Sequence, residues 1–205
     1  MKSHKVAAIV LAAGQSRRMG AFKPLLPFGE QTVIESCINN LRRASVDEII
    51  VVAGHRADEV LEHLKNANVR FALNDDATSE MSVSIARGVE QVSPHANALL
   101  IALVDHPAVS GDTIETIVDA WIEGAQFVQP EFNGRGGHPV LIDLQYRHEL
   151  LHLDPQKGLR AFFAAHRDQV RRLPVDSPFI ARDMDTWEDY VQLHREAFGQ
   201  LPKTV

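Results

Sequence analysis

Val6-Ala7-Ala8-Ile9-Val10-Leu11-Ala12-Ala13-Gly14-Gln15-Ser16-Arg17-Arg18-Met19-Gly20 is the stretch from which the fold is read. Its apolar start lacks alternation, as expected of a strand buried on both faces of a parallel sheet. The small residues Ala12, Ala13 and Gly14 then end the run, and two arginines follow. A basic start before an apolar run is also the outline of a secretory signal, but this run is short and the arginines follow it at once. The segment reads as a strand entering a loop.

Working outward, residues 49–53, 69–73 and 98–104 form further short apolar runs. Between them apolar residues recur at helical spacing: Val33, Ile34, Cys37, Ile38 and Leu41, then Val60, Leu61 and Leu64. Val83, Ile85, Ala86 and Val89 make a third stripe, and Ile114, Ile117, Val118 and Trp121 a fourth. Strand and helix alternate to about residue 125, which predicts right-handed β-α-β crossovers and an α/β fold with a mostly parallel sheet. Beyond that point, strands are predicted over 138–142, 170–175 and 179–184, and helices over 144–153, 158–167 and 186–198. Ligands of open α/β sheets bind beyond the carboxyl ends of the strands. That directs attention to residues 12–23, 54–56, 74–84 and 105–107.

The length of 205 residues suits one domain over 1–205. A formal charge of -6 argues against a general nucleic-acid binder. No stretch approaches the roughly 20 apolar residues of a membrane span. Cys37, the single cysteine, allows no internal disulfide and suits a reducing compartment. The expectation is a soluble cytoplasmic protein with neither nucleic acid nor membrane as partner.

Several residues have the chemistry of a phosphate and metal site. Successive amides around Ala13 and Gly14 can form an anion-binding concavity, and Arg18 and Lys23 add fixed positive charge. The spacing fits neither a Walker A loop nor G-x-G-x-x-G. Asp105 ends an apolar strand, where it can hold Mg²⁺ on substrate phosphates or cap the next helix, although Ser110 or Asp112 can also cap. His106 beside it reads as a nucleotide contact or a polar surface residue. In Asp183-Met184-Asp185-Thr186-Trp187-Glu188-Asp189, Asp185 or Thr186 can cap a helix with an acidic first turn. Gly136-Gly137, before His138, permits unusual backbone angles and close ligand approach, or a tight turn. Ser82 and Ser84 read as polar residues at a helix start.

The string from Ala12 to Leu26, A-A-G-x-S-x-R-M-G-x-x-K-x-L-L, resembles the signature of the MobA-like nucleotidyltransferases, and among them the molybdenum cofactor cytidylyltransferases. The resemblance implies a Rossmann-like three-layer α/β/α nucleotidyltransferase fold, and transfer of a nucleoside monophosphate from a triphosphate with release of pyrophosphate. Leu11, Ala12, Ala13 and Gly14 would then bind the nucleotide, while Arg18 and Lys23 neutralise its phosphates. Asp105-His106-Pro107 resembles the family's D-x-P, and the segment from Asp183 its D-x-D-T-P-E-D with Trp187 for proline. These imply Asp105 and Asp185 as Mg²⁺ ligands.

Asn74, Ser82 and Ser84 fall in a segment similar to the family's N-x-x-x-x-x-G-M-x-x-S-L, with Glu80 for glycine, which implies nucleotide contacts. Gly137 and His138 fall in G-R-x-G-H-P, implying acceptor contacts. Gly158 and Arg160 match part of G-D-x-G-A-R, from which Pro155 and Gln156 depart. Two alanines before Gly14 resemble the CTP-using branch, so the resemblance favours CTP, a molybdopterin acceptor and a target molybdoenzyme as partner. Rival expectations are a sugar or polyol phosphate acceptor, a nicotinamide-dependent reductase on the same scaffold, and a non-catalytic pterin carrier or chaperone.

Overall fold

The structure, a computed structural model, describes residues 4–16, 18–76 and 78–203. The opening apolar run forms β1 (Val6–Ala12), buried along its whole length. A short hairpin follows, β2 (Pro27–Phe28) with β3 (Gln31–Thr32), and leads into α1 (Val33–Arg43). Thr32 and Glu35 start that helix with a reciprocal capping box. The predicted alternation then unfolds as β4 (Glu48–Ala53), α2 (Ala57–His63), β5 (Arg70–Leu73), α3 (Met81–Gln91), β6 (Ala98–Leu103) and α4 (Gly111–Ile122). The later part of the chain adds β7 (Phe127–Phe132), β8 (Arg135–Gly136), β9 (Val140–Asp143), α5 (Arg147–Leu151), α6 (Gly158–Ala165), β10 (Val170–Pro174) and α7 (Trp187–Phe198).

The strands form one sheet in the order β10-β7-β9-β6-β1-β4-β5, with β8 paired to β7. β1 lies inside it, parallel to β4 and β6, with Ile9 opposite Ile50 and Ile101. Only β8 and β9 run antiparallel to their neighbours, so the sheet is mixed and mostly parallel. Alternate side chains of β1 feed opposite faces, as the two-residue period of a strand requires. Ala8 and Val10 pack with Ile34, Ile38, Val60 and Ile117 of α1, α2 and α4. Ala7 and Ile9 pack with Ile85, Val89, Leu150 and Phe162 of α3, α5 and α6. These are the two helical layers of an α/β/α nucleotidyltransferase fold.

A third apolar cluster joins the β2–β3 hairpin to α7 through Phe28, Met184, Tyr190 and Leu193, and takes in Met19. Tyr190 Oη donates to the Pro27 carbonyl at 2.6 Å, and the Gly29 amide donates to His194 Nε2 at 3.2 Å. The C-terminal helix therefore clamps the segment that follows the glycine loop.

Two predicted elements change and a strand is added. No strand forms over 179–184: Pro178 starts a 3-10 turn, Pro178–Ala181, and its carbonyls turn to neighbours instead of a ladder. Phe179 O faces His106 Nδ1 at 3.4 Å, and Ile180 O accepts from the His138 amide at 2.8 Å. The helix predicted over 144–153 splits into a 3-10 turn, Leu144–Tyr146, capped by Asp143, and the short α5. The added strand is β7, whose apolar run is interrupted by Gln129, Pro130 and Glu131.

Candidate functional site

At the carboxyl end of β1 the chain leaves the sheet through Ala13, Gly14, Gln15 and Ser16, with Ser16 at φ +51. The Ser16 carbonyl accepts from the amides of Met19 and Gly20, closing a turn that displays Arg18. The hydroxyl of Ser16 accepts from the Lys23 amide at 3.4 Å. Arg17 lies outside the described residues. Gly54, at the end of β4, matters for a packing reason: a Cβ there would stand 2.6 Å from the Asn74 carbonyl oxygen. Its absence lets three strand ends converge. Leu11, Ala13, Gly14, Lys23, Asn74 and Asp105 all line the resulting cavity of about 260 Å³.

Lys23, on the 3-10 turn Lys23–Leu25, is only 8% exposed. Its Nζ donates to Asp185 Oδ1 at 2.8 Å and stands 3.8 Å from Asp105 Oδ2. Arg18 pairs with the other Asp185 oxygen at 2.5 Å. Two of the carboxylates singled out in the sequence, far apart along the chain, thus meet at one ammonium. Neither is consumed by capping: Ser110 caps α4, and Thr186 caps α7 in a box with Asp189.

The structure places His106 at 6% exposure, in the interior and not at the surface. Its Nε2 lies 3.1 Å from Asp183 Oδ1 and 3.7 Å from Asp105 Oδ1. Burial raises the Asp105 carboxyl above the ordinary carboxylate range, against the charges of His106 and Lys23, with Asp183 and Asp185 adding to the rise. Burial disfavours the His106 cation, but the Asp183 hydrogen bond and the charges of Asp105 and Asp183 together raise its pKa. Asp183 is lowered by the same pairing with His106.

The two donors of the Asn74 amide reach Ser84 Oγ at 2.8 Å and Ser79 Oγ at 2.9 Å. That ties the end of β5 to the first turns of α3. Ser84 lines the smaller cavity, whereas Ser82 lines a second one of about 790 Å³. Met81, half exposed, borders both. The Ser82 hydroxyl is buried and has no hydrogen-bond partner among the described residues.

The larger cavity receives His138, Gln129 and Arg160, together with the departing residues Pro155 and Gln156. Positive φ in the β7–β8 turn falls on Asn133 and Gly134, not on the Gly136-Gly137 pair. Gly137 is buried, and a Cβ there would lie 2.1 Å from the Ile180 carbonyl oxygen, so its approach is to the chain and not to open space.

Burial and the nearby His106 charge hold His138 down to about 4. A neutral imidazole is a poor partner for an oxyanion, which alters the acceptor contact inferred from the sequence. Unfolded His138 holds a proton below its ordinary 6.5, while the folded residue stays neutral down to about 4. Stability carried by this group is therefore expected to rise with pH across that window. His138→Asn should flatten the acid side of the melting-temperature profile; an unchanged acid side would contradict the assignment.

Asp105 and Asp185 suit a metal bound mainly by substrate phosphates. Asp105 Oδ1 is buried without a hydrogen-bond partner among the described residues, and both carboxylates reach toward the same positive charge. Magnesium takes one or two protein carboxylates and keeps its remaining positions for water and phosphate. Among the described residues no group of three or more His, Cys, Asp or Glu forms a closed cage. No described helix is long and apolar enough to cross a membrane.

Residues 8–172 match the family model of the MobA-like NTP transferase domain. The chain is 26% identical over 184 residues to the molybdenum cofactor cytidylyltransferase of Escherichia coli, covering 89% of this chain and 92% of that protein. It is 26% identical over 197 residues to nicotine blue oxidoreductase of Paenarthrobacter nicotinovorans, covering 92% and 96%. A match to the bifunctional protein GlmU of Aquifex aeolicus, 32% identical over 112 residues, takes in 54% of this chain and 24% of that protein. The solved structure of Rv0371c from Mycobacterium tuberculosis superposes with a TM-score of 0.84 at 28% identity, covering 93% of this chain and 98% of that one. Rv0371c has also been solved in complex with manganese.

Proposed function

We propose that this chain, which belongs to the MobA-like NTP transferase family, transfers cytidylate from CTP to molybdopterin with release of pyrophosphate. The observation that carries the reading is Lys23, buried in the cavity of the glycine loop and shared by Asp185 and Asp105. The identity to the Escherichia coli cytidylyltransferase supports the choice of substrates.

In this reading the acceptor's terminal phosphate oxygen attacks the α-phosphorus of CTP. The new P–O bond forms as the bond to the bridging α–β oxygen breaks, and pyrophosphate leaves. A phosphate monoester is already ionised near neutral pH, so the chain need supply no general base. Its work is positioning and charge neutralisation. Amides around Ala13 and Gly14 hold the triphosphate, Leu11 lines the same cavity, and Ala12 stays in the sheet behind them. Lys23 and Arg18 offset the negative charge that builds on the leaving group. Asn74 and Ser84 line the same cavity and contact the nucleoside, while Ser82 and His138 border the acceptor's side and Gly137, packed on the Ile180 backbone, positions His138. Asp105 and Asp185 hold a divalent ion, taken to be Mg²⁺, which would supply Lewis-acid neutralisation of the phosphates. The chain acts as a single soluble domain in the cytoplasm and passes its product to a target molybdoenzyme.

A screen of CTP, GTP, ATP and UTP with Mg²⁺ tests the nucleotide. CTP is expected to raise the melting temperature most and to yield pyrophosphate only when molybdopterin is added. Binding of the pterin without CTP consumption would favour a carrier, and pyrophosphate release with sugar or polyol phosphates would move the acceptor. The identity to nicotine blue oxidoreductase over nearly the whole chain favours a second reading, reduction with a nicotinamide cofactor. It predicts thermal stabilisation by NADPH and none by CTP.

A further inference from the structure

The Asp185 carboxylate is fully engaged by the chain's own cations: Lys23 Nζ holds Oδ1 at 2.8 Å, and Arg18 holds Oδ2 at 2.5 Å. Lys23 also lies within ion-pairing range of Asp105, at 3.8 Å. An ammonium near two carboxylates places its charge where a divalent ion would draw on both. A free divalent ion approaching Asp105 and Asp185 therefore meets a like charge a few ångströms away. Lys23 is interior and the Asp105 side chain is only 25% exposed, so solvent screens that repulsion weakly. Arg18, with 73% of its side chain exposed, adds less.

A polyphosphate changes the balance, because its anionic oxygens offer Lys23 and Arg18 partners of higher charge than a carboxylate. We propose that Lys23 and Arg18 form an interlock: they hold Asp185 against free divalent cations and yield it only to a metal arriving with a polyphosphate. The proposal rests on the reading of Asp105 and Asp185 as metal ligands. Linkage makes the effect reciprocal, so polyphosphate raises metal affinity by the factor by which metal raises polyphosphate affinity.

Equilibrium dialysis of the full chain at fixed free Mn²⁺, with and without CTP, reads the interlock as manganese retained on the protein. Wild type is expected to retain little without CTP and much more with it. Lys23→Met keeps the length and removes the charge; it should bind Mn²⁺ alone about tenfold more tightly, the scale of one pKa unit of charge coupling. Adding Asp105→Asn to Lys23→Met should abolish that gain.

Wild type holding Mn²⁺ equally with and without CTP would overturn the proposal. So would a Lys23→Met protein that binds no tighter, or a gain that survives Asp105→Asn. If circular dichroism shows Lys23→Met unfolded, Arg18→Gln tests the surface half, with a smaller gain expected and none counting against the interlock. Equal retention of Mn²⁺ counts against the interlock only where CTP is itself retained with the protein. Absence of CTP from the protein compartment would refute the nucleotide reading, and the Mn²⁺-only comparison of wild type with Lys23→Met would still decide the interlock.

Discussion

Asp105→Asn is expected to slow pyrophosphate release from CTP and molybdopterin at least about a thousandfold, near 4 kcal/mol of transition-state stabilisation, without lowering the melting temperature. The two halves of this expectation have separate causes. Burial penalises charge on Asp105 and raises its pKa, so a neutral amide of the same shape relieves a folding cost. Its loss frees no structural partner: Ser110 caps α4, Lys23 keeps Asp185, and His106 keeps Asp183. What asparagine removes is a negative ligand beside the triphosphate. Full turnover in this variant, assayed as pyrophosphate released, would end the proposed mechanism. Unfolding of the variant would instead make Asp105 a structural residue.

Gly137→Ala is expected to lower stability by about 3 kcal/mol, at the upper end of overpacking costs. At ~2–4 °C per kcal/mol for a chain of this size, that is a fall of roughly 10 °C in melting temperature. The added methyl would lie 2.1 Å from the Ile180 carbonyl oxygen and 2.5 Å from its carbon, both backbone atoms. Relief requires moving the Pro178–Ala181 turn, which accepts the His138 amide at Ile180 and faces His106 at Phe179. The neighbouring Gly137 amide bond to Pro130 O, 2.9 Å, resists movement from the other side. Melting unchanged from wild type would show that the turn shifts freely.

The first half of the fold is legible in the sequence because its strands are buried on both faces and its helices on one. Continuous runs such as that of β1 and stripes such as Ile34, Cys37, Ile38 and Leu41 record those surroundings directly. β7 defeats the same method: only Phe127 and Val128 are paired to β9, while Gln129 and Glu131 further along are only partly buried. The 179–184 segment misleads for another reason. Its apolar residues are buried against the core clusters of the sheet and of α7, and Pro178 diverts the backbone before a ladder can form.

The site divides the same way. Lys23 stands out as positive charge beside the small-residue loop and Asp105 as a carboxylate ending an apolar strand, while Asp185 is singled out as a metal ligand only through the family resemblance. Their meeting at one ammonium depends on α7 packing against the β2–β3 hairpin, a tertiary contact with no local signature. The burial of His106 has no local signature, since its partners, Asp183 and Phe179 O, lie some 75 residues away in sequence. Ser82 and Ser84, two positions apart on α3, face different cavities, a split that a shared motif does not reveal.

The inside position of β1 also governs how the protein comes into being. As the chain leaves the ribosome, Val6–Ala12 emerges before either of its sheet neighbours exists, and its second partner, β6, ends only at Leu103. β4 and α1 can cover one edge and one face by residue 53, but until β6 is made the other edge of this uncharged, apolar heptapeptide stays unpaired. Nascent chains stalled short of Leu103 should therefore be the aggregation-prone species, and chaperone holdases should cross-link to this segment until the next hundred residues have been made.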